Sequence, residues 1–153
     1  MKDLTRAECL ELVSDNYIGR IGFISNGIPI ILPITYYYDQ EHHCILSYSG
    51  AGDKIVAMRK NNQVSILVDH ITSFVEWKSV LIIGHFEELS GTDAKYQLHI
   101  FSEGVKKVMV KSGHQRPSFI KDFSNTLNSH GVHTVYRIKI MEIKGKTVQP
   151  TIS

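Results

Sequence analysis

Residues 17–39 read YIGRIGFISNGIPIILPITYYYD, and the fold turns on them. Two runs rich in Ile, Phe and Tyr flank Asn26-Gly27. A two-residue hairpin needs positive φ at both central positions, which Asn and Gly tolerate, so the spacing predicts an antiparallel hairpin. Pro29 and Pro33 cannot donate ladder hydrogen bonds, which places the second strand at an edge or gives it a bulge. Alternation sends Tyr36 and Tyr38 to one face and Tyr37 to the other.

Working outward, a turn at DQEH leads to a strand over 43–49, HCILSYS. Two glycines and a short helix follow, then QVSILVD (63–69) and the long run FVEWKSVLIIGHFEEL (74–89). Gly84 marks a bend or bulge inside that run. Thr92 onward reads as a helix with Tyr96, His99 and Ile100 on one face. SGHQRPS (112–118) breaks it, and FIKDFSNTLNSHG (119–131) makes a second helix. The alternating VHTVYRIKIMEIKG (132–145) is the last strand. Before the hairpin, TRAECLELV has helical spacing, with Thr5 and Glu8 as a capping box. Six strands with helices inserted between and around them make a mainly β protein. The expectation is a small antiparallel barrel in a single domain over residues 1–153.

Composition narrows the function by exclusion. The chain is 42% hydrophobic and 21% charged, with a formal charge of +2 and dispersed lysines, so nucleic acid is not an expected partner. Apolar runs such as VLII (80–83) are too short to span a bilayer. Cys9 and Cys44 form no CxxC, and MKDLTRAECLELV makes a poor secretory leader, so a reduced, cytoplasmic setting is expected.

LSYSGAGDKIVAMRKNN (46–62) has the order of an anion cradle: strand, Gly-rich turn, lysine, helix. No Gly-Lys-Ser/Thr follows the glycines, and Ile55 replaces the third glycine of the dinucleotide fingerprint. What remains is a general device. Backbone N–H groups face an anion, Ser47, Tyr48 and Ser49 bring hydroxyls, and Lys54 brings charge. Asp53 fits as a cap of the helix. A plain strand-to-helix connection with a surface lysine satisfies the same residues. Trp77, with Ser79 on the same side of its strand, reads equally as a ligand wall or a barrel-plugging side chain. Among eight histidines, His42 and His43 point to opposite faces of a strand. No HExxH or CxxC occurs, so no metal is expected. No GxSxG surrounds any serine, and no catalytic acid or base is singled out.

Taken in order, GRIGFISNGIPIILPITYYYDQ, ILSYSGAGDKIVAMRKNNQVSILVD, EWKSVLIIGHFEEL and VYRIKIMEIKGK resemble the pyridoxamine 5′-phosphate oxidase-like proteins with an FMN-binding split barrel. The nitroimidazole-resistance branch is the most similar. The resemblance implies a six-stranded antiparallel split barrel that dimerises, with FMN at the subunit interface. By position it makes Lys54 the phosphate cation, helped by Ser47, Tyr48 and Ser49. Pro33, Ile34 and Thr35 lie beside the isoalloxazine ring, and Trp77 and Ser79 approach the phosphate or ribityl chain. Arg20 matches a family arginine without an assigned role.

Two departures narrow the activity. Nitroimidazole-resistance relatives often carry His-Ser-Ala where this chain has Ser47-Tyr48-Ser49. Pyridoxamine phosphate oxidases carry a base where Asp53 stands, and their C-terminal arginines have no match in GKTVQPTIS. Vitamin B6 oxidation is therefore not expected. The resemblance implies a flavin-dependent oxidoreductase that takes a hydride from a reduced nicotinamide and reduces a small acceptor. A non-catalytic flavin-binding or carrier module, and a haem-binding split barrel, stand beside it.

Overall fold

The structure, a computed structural model, describes residues 1–50, 52–113 and 133–151. The second helix expected over 119–131 lies outside them. In chain order the elements are β1 (Lys2–Leu4), α1 (Arg6–Ser14), β2 (Ile18–Ser25), β3 (Ile28–Thr35), β4 (Tyr37–Asp39) and β5 (Cys44–Gly50). There follow α2 (Asp53–Lys60), β6 (Gln63–Ser73), β7 (Glu76–Leu89), α3 (Gly91–Lys111) and β8 (His133–Val148).

The hairpin forms as its turn dictates. Asn26 and Gly27 take φ of 50° and 78°, and Ser25 faces Ile28 at the head of the β2–β3 ladder. One sheet runs β3-β2-β6-β7-β8-β5-β4, with β1 also on β8. The two ends of that path, β3 and β4, are consecutive in the chain. The sheet thus rolls into a barrel closed at that seam by the backbone rather than by a ladder. This is the antiparallel, mainly β architecture expected.

Among the described residues, eight strands replace the six expected. One is the short β1, and another arises because the run 28–39 is cut at Tyr36. There the Tyr36 N–H donates to the Tyr17 carbonyl at 2.8 Å and its hydroxyl to the Val13 carbonyl at 2.7 Å. The chain is pinned as it passes from the β2 ladder to the β5 ladder. Gly84 does sit at a register shift between β7 and β8, where a Cβ would overlap the Lys139 carbonyl and the Ile138 side chain.

Inside the barrel, Ile21, Ile66, Val68, Val80, Ile82, Tyr136 and Ile138 are buried with Tyr36, Val13 and Met58. Helix α1 starts with the expected reciprocal capping box of Thr5 and Glu8. Helix α3 buries Gln97, Phe101, Gly104, Val105 and Met109, not the expected stripe, and Tyr96 is 61% exposed. That face covers Cys44 and Leu46 with Tyr37 and Tyr48 beside them, so Tyr37 does part from Tyr36 and Tyr38. Gly104 is where the Tyr37 ring lies against the helix.

Candidate functional site

Helix α2 follows β5 through Gly50 and Gly52, beside which an added Cβ would meet almost nothing. The turn therefore lies open to a ligand. Gly52 is the N-cap and offers no side-chain bond; its carbonyl accepts from the Ile55 and Val56 N–H groups, which leaves the Asp53 and Lys54 N–H groups as the donors the turn presents. Lys54 is half-buried in the first turn. Loss of hydration disfavours its ammonium and holds its pKa below the usual lysine value. No carboxylate among the described residues pairs with it. The contrast is Arg59 on the same helix, whose guanidinium makes two bonds of 2.7 and 2.6 Å to Glu88.

Ser47 is 1% exposed, and its hydroxyl donates to the Thr35 carbonyl at 2.8 Å. The structure thus joins the LPIT and LSYS segments across the barrel seam. Ser49 donates to the Gly50 carbonyl at 3.0 Å. Tyr48 packs beside Phe101 with ring centroids 5.7 Å apart, and burial raises its phenol to about 12.

Backbone direction on β3 follows from one bond and the register. Because Tyr36 N–H bonds the Tyr17 carbonyl, positions 34, 32, 30 and 28 face β2, while Pro29, Ile31, Pro33 and Thr35 face away. Both prolines fall on the outward side, as an edge strand requires. At the end of this free edge stand the Pro33 carbonyl as acceptor and the Thr35 N–H as donor. The Thr35 carbonyl is already taken by Ser47. Pro33 has an exposed side chain, Thr35 is half-buried, and Ile34 points into the core at 6% exposure.

Trp77 and Ser79 sit elsewhere. Phe86 N–H bonds the Asn62 carbonyl just past α2, and Ser79 precedes Phe86 by seven residues of β7. At about 3.3 Å per residue that places Ser79 roughly 23 Å along the strand from the α2 end. Trp77 does not plug the barrel. It is half-buried and walls a cavity of about 840 Å³ with Tyr17, His70 and Lys78, its carbonyl held by Thr147 at 2.9 Å. Ser79 borders a separate cavity of about 500 Å³ with Arg6, Cys9 and Lys144. The structure thus joins Thr35 to Ser47 at the seam and sets Lys54 apart at the start of α2, while Trp77 and Ser79 border two cavities at the β6–β7 end, the first of them shared with Tyr17.

Arg20 bonds Asp69 at 3.1 Å on the outer face of the sheet. That face carries exposed Ile18, Ile31 and Ile71, beside half-buried Leu67 and Leu81. The adjacent histidines lie in the β4–β5 turn rather than in a strand. His42 Nδ1 meets Asp39 at 2.8 Å, while His43 stands between the Tyr38 hydroxyl and Arg6, at 3.1 Å from each. Ligand atoms of Asp39, Glu41 and His42 lie within 4.8 Å of one another. The buried Asp39 also accepts the Glu41 and His42 N–H groups, so it staples the turn. Sequence reading missed this staple, although an Asp two and three residues before the groups it binds is a turn signature. No helix of the described residues is long and apolar enough to cross a membrane.

Residues 5–147 match the family model of pyridoxamine 5′-phosphate oxidase. An uncharacterised protein of Rhizobium meliloti (strain 1021) is 26% identical over 145 residues, 94% of this chain and 92% of its own length. Among solved structures, an FAD-binding protein from Mesorhizobium loti superposes with a TM-score of 0.75 at 26% identity, covering 97% of both chains. An FAD-binding protein from Mycobacterium smegmatis has a TM-score of 0.61 at 18% identity, covering 98% of this chain and 100% of its own. A candidate 5-nitroimidazole antibiotic resistance protein from Bacteroides thetaiotaomicron has a TM-score of 0.67 at 14% identity, covering 95% of this chain and 87% of its own. The last two likenesses speak to the fold alone. With a match that spans nearly its whole length and the barrel to go with it, the chain belongs to the pyridoxamine 5′-phosphate oxidase family.

Proposed function

We propose that this protein binds FMN in the interface of a homodimer and is a flavin-dependent oxidoreductase, moving a hydride from a reduced nicotinamide to a small acceptor. The observation that carries the reading is Lys54, a half-buried cation with no carboxylate partner among the described residues, at the uncapped start of α2. A desolvated ammonium without a counter-charge is unfavourable unless an anion completes it. A terminal phosphate monoester does so, and the open Gly-rich turn lets it approach the backbone N–H groups.

The remaining residues divide the work. Lys54 and the first N–H groups of α2 hold the phosphate, the Ser49 proton being spent on the Gly50 carbonyl. The Pro33 carbonyl and Thr35 N–H present an acceptor and a donor to the edge of a flat ring. Ile34, directed inward, anchors that edge to the core, and Tyr48 walls the β5 side. FMN, when bound, supplies the hydride chemistry, and the protein orients the ring.

Trp77 and Ser79 are too far from Lys54 along the barrel to reach the same ligand from one chain. A two-fold partner bringing its β6–β7 hairpin to the first protomer's Lys54 completes the set. The exposed Ile18, Ile31 and Ile71 on the outer sheet face suit burial against a second copy. Two of the structures similar to this chain are described as FAD-binding proteins. A single cation at the turn suits the one phosphate of FMN.

The test is the visible spectrum of the purified protein, followed by chromatography of the cofactor released on heating. Flavin maxima with FMN released are expected. Released FAD would correct the cofactor, and colourless protein that FMN cannot reconstitute would overturn the reading. Anaerobic bleaching by a reduced nicotinamide, then reoxidation by a quinone or nitro compound, separates an enzyme from a carrier. Size-exclusion chromatography with light scattering should give a dimer.

A further inference from the structure

Tyr136 is fully buried in β8, and its hydroxyl oxygen finds no hydrogen-bond partner of good geometry among the described residues. Most buried polar groups are satisfied, so an orphan of this kind calls for a reason. Its neighbour directly across the ladder is Ser47; burial raises the phenol's pKa, and hydrogen bonding with Ser47 offsets part of that rise. Ser47 has one proton, and that proton is committed to the Thr35 carbonyl at 2.8 Å. The serine oxygen retains lone pairs. Tyr136 retains an unused donor.

We infer that Tyr136 and Ser47 form a buried hydroxyl relay, in which Tyr136 donates to the Ser47 oxygen and Ser47 to the Thr35 carbonyl, fixing the end of β3 against the flavin ring. This rests on the flavin reading above and assigns two positioning residues to it. Ser47 is then a brace rather than a phosphate contact. The geometry of the Thr35–Tyr36 peptide requires such a brace. Its N–H is held by the Tyr17 carbonyl on one side, and Ser47 is what holds the carbonyl on the other. With both ends fixed, the neighbouring Thr35 N–H keeps its direction along the free edge. Donation from Tyr136 polarises the Ser47 hydroxyl and strengthens its bond to Thr35, because linked hydrogen bonds reinforce one another.

The experiment is a double-mutant cycle of Ser47→Ala and Tyr136→Phe, read by FMN and riboflavin affinity, the visible absorption spectrum and the flavin midpoint potential. Ser47→Ala should weaken FMN and riboflavin equally, by about tenfold. Tyr136→Phe should weaken both by about threefold, and the double variant should match Ser47→Ala alone. Both single variants should move the flavin absorption bands and the potential, and Ser47→Thr should restore them. Tyr136→Phe removes the relay's first link, so its apoprotein should melt slightly below wild type, and a higher melting temperature would mean that the hydroxyl has no partner. Additive losses, or unchanged spectra and potentials in both variants, would overturn the relay while leaving flavin binding intact. Wild-type protein that takes up no flavin would instead remove the reading on which the relay rests.

Discussion

Two cations of helix α2, five residues apart, lie in opposite circumstances. Arg59 lies at the surface and is clasped by both carboxylate oxygens of Glu88 across to β7. Lys54 is partly withdrawn from water and has no carboxylate among the described residues to answer it. A cation that contributes to folding is found with its partner. One that lowers stability until something binds is found without it, and it marks where a ligand's charge belongs.

Substitution of Lys54 tests this contrast most severely. Lys54→Ala should weaken FMN by roughly tenfold to 150-fold (~1.5–3 kcal/mol) while leaving riboflavin within twofold, measured by fluorescence titration. Equal losses for the two ligands would move the phosphate away from Lys54. Lys54→Met should leave the apoprotein at least as resistant to urea as wild type, because it replaces a desolvated ammonium with an apolar chain of similar length.

A pH series sharpens the comparison. The lowered Lys54 pKa means the folded apoprotein disfavours the ammonium, so its stability is reduced at neutral pH. That deficit should disappear as pH rises from the lowered value through the ordinary lysine value of 10.5. FMN affinity should fall over the same window while riboflavin affinity stays level. A parallel fall for riboflavin would point to loss of the fold instead.

Arg59→Ala should have the smallest effect. FMN affinity should stay within twofold and the urea midpoint should drop slightly, a drop that high salt abolishes in the wild type. The hydrogen bonds from Arg59 hold the Glu88 carboxyl below its usual range. The pair's contribution is thus complete above pH 4.5 and is lost as pH falls through the lowered value. The variant should lack that acid limb in its stability profile.

What could be read in advance divides along the range of the forces involved. Asn26-Gly27, the Thr5–Glu8 box and the Gly84 bulge depend on neighbours a few residues away or on one missing side chain, and sequence shows those directly. The break at Tyr36 depends on the Tyr17 carbonyl across a ladder, so the run 28–39 reads as one strand. Helix α3 offers several apolar stripes, and contact with Cys44 and Leu46 decides for Phe101 and Val105. At the site, Lys54 is legible as a cation and Ser47 as a hydroxyl. The missing counter-charge of the first and the spent proton of the second arise only when α2 packs on β2 and β7 and the end of β3 reaches β5.

The outward positions of β3 alternate proline, isoleucine, proline, threonine. A foreign strand laid along that edge would find two rungs of its ladder without donors, so growth of the sheet by self-pairing is blocked along most of the strand. A small planar ring needs only one acceptor and one donor, and it finds them where the prolines stop. The spacing that keeps other polypeptide off the edge therefore admits a ligand to its end.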